Sequence, residues 1–261
     1  VFLYVLLDGF DLGVGILYGF VGDTPSRNLV MNTVAPVWDG NETWLILGGV
    51  GLMAAFPVAF AIIIPAVYFP VGLMLLALIF RGLAFAFRYR DSDRRGFWDH
   101  AFCYGSILAT FTQGIVLGAF IQGFKTDGQA FTGSSFDCFT PFSILTGIAL
   151  LFGYALLGAG WLIQKTEGEL QAAMRRRGRW CLAGVLAGIV IVSAWTPLID
   201  HDVAVRWFST PDIFWLAPIP ILTALVAFWA WRALNSAEET TPFVAAVLLF
   251  LLSYGGIAVS L

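Results

Sequence analysis

The sequence has little charge. Only 12% of its 261 residues are Asp, Glu, Lys or Arg, whereas 59% are apolar, and the mean hydropathy is +0.84. This balance excludes an ordinary soluble globular domain. The formal net charge of −3 is small and predicts no nucleic-acid partner.

Cysteine and histidine are also scarce. Cys103, Cys138 and Cys181 are widely spaced and form no Cys-x-x-Cys pair, so neither a disulfide framework nor a metal knuckle is predicted. His100 lies where a span begins, and His201 falls in an outer loop. No second His or Met faces either of them on the same span, so we expect no haem ligation by this chain.

Long apolar runs, in contrast, recur along the whole chain, and each is about 20 residues, the length of a membrane-spanning helix. The predicted fold is an all-α, polytopic transmembrane helix bundle with two four-helix units, 1–122 and 123–261. Val1 and Leu261 both lie inside apolar runs, so we expect a fragment of a longer chain. We place eight spans at roughly 1–21, 44–63, 65–87, 98–122, 140–163, 180–198, 213–232 and 241–261.

Basic residues predict the orientation of these spans, because Lys and Arg concentrate in cytoplasmic loops. Eleven of the 14 basic residues fall in alternate loops. The Gly- and Ser-rich loop 123–139 then lies outside, Val1 starts on the outer side, and Arg88 and Arg90 are interpreted as ordinary cytoplasmic flank residues. The predicted cytoplasmic loops are 22–43, 88–97, 164–179 and 233–240.

The first span carries two acids. Asp8 and Asp11 are three residues apart, so both project from one face of a helix near mid-bilayer. Gly9 and Gly13 form a small-xxx-small pair that allows another helix to approach closely. An acid at the centre of a spanning helix costs about 2.5–3.5 kcal/mol, so two acids together need a reason. That reason is either an interhelical bond that fixes packing or a proton or ion site.

A second acidic motif precedes the second span. It contains two indoles, which favour a membrane interface, together with two carboxylates three residues apart. We interpret it as the cytoplasmic mouth of a polar path into the membrane, with Asp39 as the proton acceptor. The motif reads Pro36-Val37-Trp38-Asp39-Gly40-Asn41-Glu42-Thr43-Trp44.

One basic residue lies inside a span. Arg81 sits about two helical turns, roughly 10 Å, deeper than Arg88. Two interpretations remain open for it: an ion pair with the acids of the first span, or an anchor whose side chain reaches the interface. An ion pair would neutralise one carboxylate of the pair.

These motifs resemble those of a known family. Asp8-Gly-Phe-Asp-Leu-Gly-Val-Gly, Pro36-Val-Trp-Asp-Gly-Asn-Glu-Thr-Trp and Phe80-Arg-Gly-Leu-Ala-Phe are similar to motifs in subunit II of the cytochrome bd-type quinol oxidases. The resemblance is strongest over residues 1–100. A complete family member would have nine spans.

The resemblance implies a subunit of a terminal oxidase that oxidises quinol and reduces dioxygen to water in the bacterial inner membrane. It places the b-type and d-type haems in a partner, subunit I. Subunit II would act as a scaffold, add acids to proton delivery from the cytoplasm, and hold no haem ligands. It can also hold a structural quinone, and a small accessory subunit can accompany the pair.

Site roles follow by position in the matching motifs. Asp39 would be the proton entry, Asp11 with Asp8 the inner acids, and Arg81 the associated intramembrane base. Trp38, Gly40, Asn41 and Trp44 complete the motif around them.

The chain departs from the family pattern at one position. Family members often carry an acid where this chain has Ala86, and Glu42, where some members have an amide, would compensate.

Two rival functions remain. An ion-coupled secondary transporter would use the same acids and would show broken helices near them. A purely structural membrane subunit would not depend on the acids for turnover.

Overall fold

The computed structural model describes residues 2–91, 93–199, 201–209, 214 and 216–260. Over these residues the chain is helical, and the β pairing found there is one isolated bridge between Thr126 and Phe131. The predicted all-α helix bundle is confirmed. Its helices are α1 (Phe2–Tyr18), α2 (Thr24–Val34), α3 (Trp38–Ala55), α4 (Pro57–Ala66), α5 (Tyr68–Phe87), α6 (Arg95–Gln122), α7 (Pro141–Lys165), α8 (Gly168–Ile199), α9 (His201–Phe208), α10 (Pro218–Leu234) and α11 (Thr241–Ser260).

Five of the described helices, α5, α6, α7, α8 and α11, are long and apolar enough to cross a membrane. Two further apolar helices, α4 and α10, are shorter. The eight-span count and the division into units 1–122 and 123–261 stay predictions.

Three segments differ from the sequence-based expectation. Residues 22–43, expected as a loop, contain α2 and the first turns of α3. Residues 168–179, expected as a linker, are the start of α8, whose 32 residues reach roughly 48 Å and therefore exceed a bilayer core. The second predicted span, 44–63, is divided at Phe56 into α3 and α4. Pro57 is tolerated there because the first amides of a helix have no partner within it.

The start of α2 has a local cause. The carboxylate of Asp23 accepts a hydrogen bond from the backbone N–H of Ser26 at 2.8 Å and so caps the helix. This bond holds the pKa of the Asp23 carboxyl below its usual range. Such a cap makes a short helix where composition alone indicates a polar loop.

Helix α1 lies at the centre of the bundle, against α6 and α7. A Cβ on Gly13 would lie 1.8 Å from the carbonyl oxygen of Tyr154, and one on Gly158 would lie 2.3 Å from the Gly13 carbonyl carbon. The backbones of α1 and α7 therefore touch, which only glycine permits. The predicted close approach at Gly9 and Gly13 is confirmed, since a Cβ on Gly9 would also meet Tyr154, at 2.8 Å.

Candidate functional site

The candidate site forms where α1, α3 and α5 meet. Arg81 of α5 is fully buried, and its Nη1 lies 2.7 Å from Oε1 of Glu42 on α3. The same nitrogen lies 3.6 Å from Oδ1 of Asp8, which is also fully buried, on α1. Of the two interpretations of Arg81, the ion pair is confirmed. Its shortest contact is with Glu42, a partner that the sequence did not suggest.

Asn41 completes this group. Its amide nitrogen donates to Oδ2 of Asp11 at 2.7 Å and to the carbonyl oxygen of Leu7 at 3.1 Å. The first turns of α3 are thereby bound to α1. We call Asp8, Asp11, Glu42 and Arg81 the inner cluster.

The charges of the inner cluster do not balance. One guanidinium faces three carboxyl groups, and two of these, Asp8 and Asp11, are buried. Full ionisation would leave uncompensated negative charge away from water, which is costly. The cluster is therefore suited to accept and release protons.

Asp39 is exposed at the first turn of α3. It precedes Glu42 by three residues, so the two carboxylates lie on one face of the helix. Glu42 is itself only partly buried, with 21% of its side chain exposed. From the surface inward, the series is therefore exposed Asp39, partly buried Glu42 and the buried ion pair of Arg81 with Asp8.

The other residues of the motif, Trp38, Gly40 and Trp44, are not part of the inner cluster. The indole of Trp38 stacks on Phe85, with ring centroids 4.8 Å apart and planes 9° apart. Gly40 has nothing within 4 Å of the position of a Cβ, and Trp44 is exposed. The motif was expected ahead of the helix, but its residues from Trp38 onward are helical.

A second charged group was missed by sequence reasoning. Arg88 is fully buried, and its Nε donates to Oδ1 of Asp99 on α6 at 2.5 Å. Asp99 also accepts from the hydroxyl of Tyr18 and, at 3.1 Å, from Nη1 of Arg27. The interpretation of Arg88 as an ordinary flank residue is therefore wrong. We call Tyr18, Arg27, Arg88 and Asp99 the end cluster.

Gln113, which sequence reasoning did not assign to the site, joins two tyrosines beside Asp8. Its amide nitrogen donates to the hydroxyl of Tyr4 at 2.9 Å, and its amide oxygen accepts from Tyr154 at 2.8 Å. The hydroxyl of Tyr4 in turn faces Asp8. This polar chain links α1, α6 and α7 at the level of the inner cluster.

His100 lies near the start of α6. Its side chain is exposed, and its ring stacks on Tyr104 with centroids 5.6 Å apart. The side chain of His201 lies outside the described part of the chain.

An α-helical chain with several spanning-length apolar helices and buried, paired carboxylates belongs to the polytopic membrane proteins that carry charge inside the bilayer. The model of the cytochrome bd terminal oxidase subunit II family matches residues 1–261. The chain belongs to that family. The motifs of α1, α3 and α5 lie within the match.

Individual relatives agree with this assignment. The chain is 32% identical over 262 residues to the cytochrome bd-I ubiquinol oxidase subunit 2 of Escherichia coli strain K12, covering 86% of this chain and 69% of that protein. It is 30% identical over 256 residues to the probable cytochrome oxidase subunit 2 of Haemophilus influenzae, covering 85% and 68%. The fold matches a chain of the bd oxidase from Geobacillus thermodenitrificans with a TM-score of 0.78, 14% identity and coverage of 98% and 79%.

Membership in this family makes the chain a subunit of an oxidoreductase complex that acts in respiratory quinol oxidation. Its several apolar helices are consistent with a multi-pass protein of a bacterial membrane. The family relationship favours the oxidase over the secondary transporter.

Proposed function

We propose that this chain is the non-haem subunit of a quinol:oxygen oxidoreductase, where it scaffolds the haem subunit and helps deliver protons from the cytoplasm. Reducing dioxygen to water consumes protons as well as electrons, and an apolar bundle cannot carry them. Ionisable side chains together with water must do so. The observation that supports the proposal is the series from exposed Asp39, through Glu42, to the buried pair of Arg81 and Asp8.

In this proposal, Asp39 takes up a proton at the membrane surface and Glu42 passes it inward. The inner carboxyls, Asp8 and Asp11, hold it next to Arg81, whose fixed positive charge offsets the charge left when a proton departs. Asn41 keeps Asp11 in place by its hydrogen bond. Acids of the partner subunit would receive the proton next.

The proposed orientation is supported by contacts among the basic segments. Arg177 near the start of α8 donates to the carbonyl oxygen of Phe20, and Arg175 donates to that of Glu238. Arg27 binds Asp99, at the start of α6. Segments predicted as cytoplasmic therefore meet at one end of the bundle.

Helix α3 offers a surface for the partner, the haem-bearing subunit I. It buries no residue within the described chain, and Ile46, Leu47 and Val50 are 68%, 58% and 53% exposed. Nothing lies within 4 Å of a Cβ on Gly49 or Gly51. Within the described chain this glycine-bearing face is therefore uncovered, and we assign it to subunit I, which would carry the b-type and d-type haems. A small accessory subunit stays a prediction.

A structural quinone also stays a proposal. A cavity of about 640 Å³ opens among α6, α7, α8, α10 and α11, with mostly apolar walls. Its lining includes Gly153 and Gly188 and two hydroxyl-bearing residues, Thr146 and Ser253. These walls suit an isoprenoid chain.

The replacement Asp39→Asn tests the proposed function. It keeps the size of the side chain and removes the titratable proton. We expect oxygen consumption by the complex, purified through this chain, to fall on the order of 10²-fold, the lower end of what a positioned proton-transfer group contributes. The visible haem spectrum and the amount of complex should stay as in the parent protein.

Asp93→Asn is the matched control, because Asp93 is an exposed acid on the same predicted side. It should turn over at the parent rate. Loss of haem or of assembly in Asp39→Asn would make Asp39 structural. A colourless purified protein would instead support the transporter.

A further inference from the structure

The two charged clusters lie on shared helices, one above the other. Arg81 lies on α5 and Arg88 directly follows its last residue, so the two are seven residues, about 10 Å, apart along the axis. Asp99 of the end cluster lies at the start of α6, and Tyr18 lies at the end of α1. Both clusters hold buried charge, so water between them would join them into one polar path.

Aromatic rings occupy the space between the clusters. Phe85 lies four residues after Arg81 on α5, and Phe102 lies three residues after Asp99 on α6. The two rings meet edge to face with centroids 5.1 Å apart. Phe102 meets Tyr18 at the same distance, and Trp38 stacks on Phe85.

These rings also contact the buried cation. The guanidinium carbon of Arg81 lies 5.7 Å from the ring centroid of Phe85 and 5.9 Å from that of Phe102. Its Nε and Nη2 have no hydrogen-bond acceptor among the described residues. Attraction between a cation and the faces of aromatic rings therefore stabilises this side of Arg81.

The packing around the rings is tight. Phe102 is fully buried, and a Cβ on Gly15 would lie 2.0 Å from Oγ of Ser106, one turn further along α6. A Cβ on Gly105 would lie 2.8 Å from the carbonyl oxygen of Ala77. Helices α1, α5 and α6 thus leave little room beside the rings, and a closely packed apolar layer does not hold water.

We propose that Trp38, Phe85 and Phe102 form an aromatic seal that separates the end cluster from the inner cluster. The seal confines proton access to the side of α3 that carries Asp39 and Glu42. The end cluster then binds α1, α2, α5 and α6 together without offering a second proton entry. This inference rests on the proposed role of the inner cluster in proton delivery.

Rescue of a blocked entry tests the seal. In the complex that carries Asp39→Asn, adding Phe102→Ala should let water join the clusters and raise oxygen consumption about tenfold from the blocked level, a fraction of the effect of a positioned proton-transfer group. Phe85→Ala opens the same layer from a half-buried position and should do likewise if Phe102→Ala assembles poorly. Phe102→Leu, which keeps the layer apolar, should not rescue.

Phe142→Ala is the matched control. Phe142 is as buried as Phe102 and meets Trp195 edge to face at 5.9 Å, away from both clusters. It should leave the blocked rate unchanged. If neither Phe102→Ala nor Phe85→Ala restores turnover in an assembled complex with normal haem content, the seal is overturned.

A second measurement does not depend on proton delivery. High-resolution structures of the complex should show ordered water between Arg81 and Arg88 in Phe102→Ala and none there in the parent protein. Water between these residues in the parent would overturn the seal. A normal rate in Asp39→Asn would instead overturn the proposed function.

Discussion

At the scale of single residues, the buried guanidinium of Arg81 holds the inner cluster together. Replacing it by Gln would leave Asp8 and Glu42 without their cation. Removing one partner of a buried ion pair costs about 3–5 kcal/mol, so we expect Arg81→Gln to lower the yield of assembled complex and its haem content. The yield of purified complex and its haem absorption, normalised to protein, measure these two effects.

Arg90→Gln is the control for that change, because Arg90 is exposed just beyond the end of α5. It should assemble normally. Normal spectra with slow turnover in Arg81→Gln would contradict the structural role and make Arg81 a participant in proton transfer alone.

Single residues also show what the sequence could and could not predict. Asp8, Asp11 and Arg81 stood out because charge inside an apolar run is costly, and Arg81 does pair with Asp8. Arg88 was missed because an arginine at the end of a span is ordinarily a surface anchor. The signal available in the sequence was Asp99, an acid at the cytoplasmic end of a predicted span, where basic residues are usual. Only the tertiary structure shows that Arg88 and Asp99 form an ion pair.

At the scale of helices, the position of α1 depends on glycine. A side chain at Gly13 would collide with the backbone of α7 at Tyr154. We expect Gly13→Val to push the helices apart and to destabilise the subunit by about 1–3 kcal/mol or more, as overpacking does. Thermal unfolding of the purified complex, with the yield of assembled complex, measures the change.

Gly96→Ala provides the comparison, because Gly96 is exposed at the start of α6 and nothing lies within 4 Å of the position of its Cβ. It should change stability by less than about 0.5 kcal/mol. Equal stability of Gly13→Val and the parent would contradict the contact between α1 and α7.

The boundaries of helices were less predictable than their existence. Hydropathy located α5, α6, α7 and α11 to within several residues, since their apolar runs are long. It missed α2 and the first turns of α3, because these are polar and are stabilised by a cap and by contacts with α1. The proposed entry therefore lies on a helix, which fixes Asp39, Asn41 and Glu42 relative to one another.

At the scale of the whole molecule, the bundle has one end rich in basic residues and another that carries the loop 123–139. The loop is tied to the last turn of α4 by the hydroxyl of Ser135, which donates to the carbonyl oxygen of Pro65 at 3.5 Å. Lys125 and Asp137 pair within it at 3.0 Å, and this pairing holds the pKa of the Asp137 carboxyl below its usual range. The proposed orientation places this loop outside the cell.

Cysteine labelling tests that orientation, because Cys103, Cys138 and Cys181 are buried and free and should give little background. Gln129 and Glu169 are exposed at opposite ends of the bundle. We expect a membrane-impermeant maleimide to label Gln129→Cys on intact spheroplasts and to label Glu169→Cys only after the membrane is permeabilised. The parent protein, treated identically, is the control. Labelling of Glu169→Cys without permeabilisation would place the basic end outside, and Asp39 could then not draw protons from the cytoplasm.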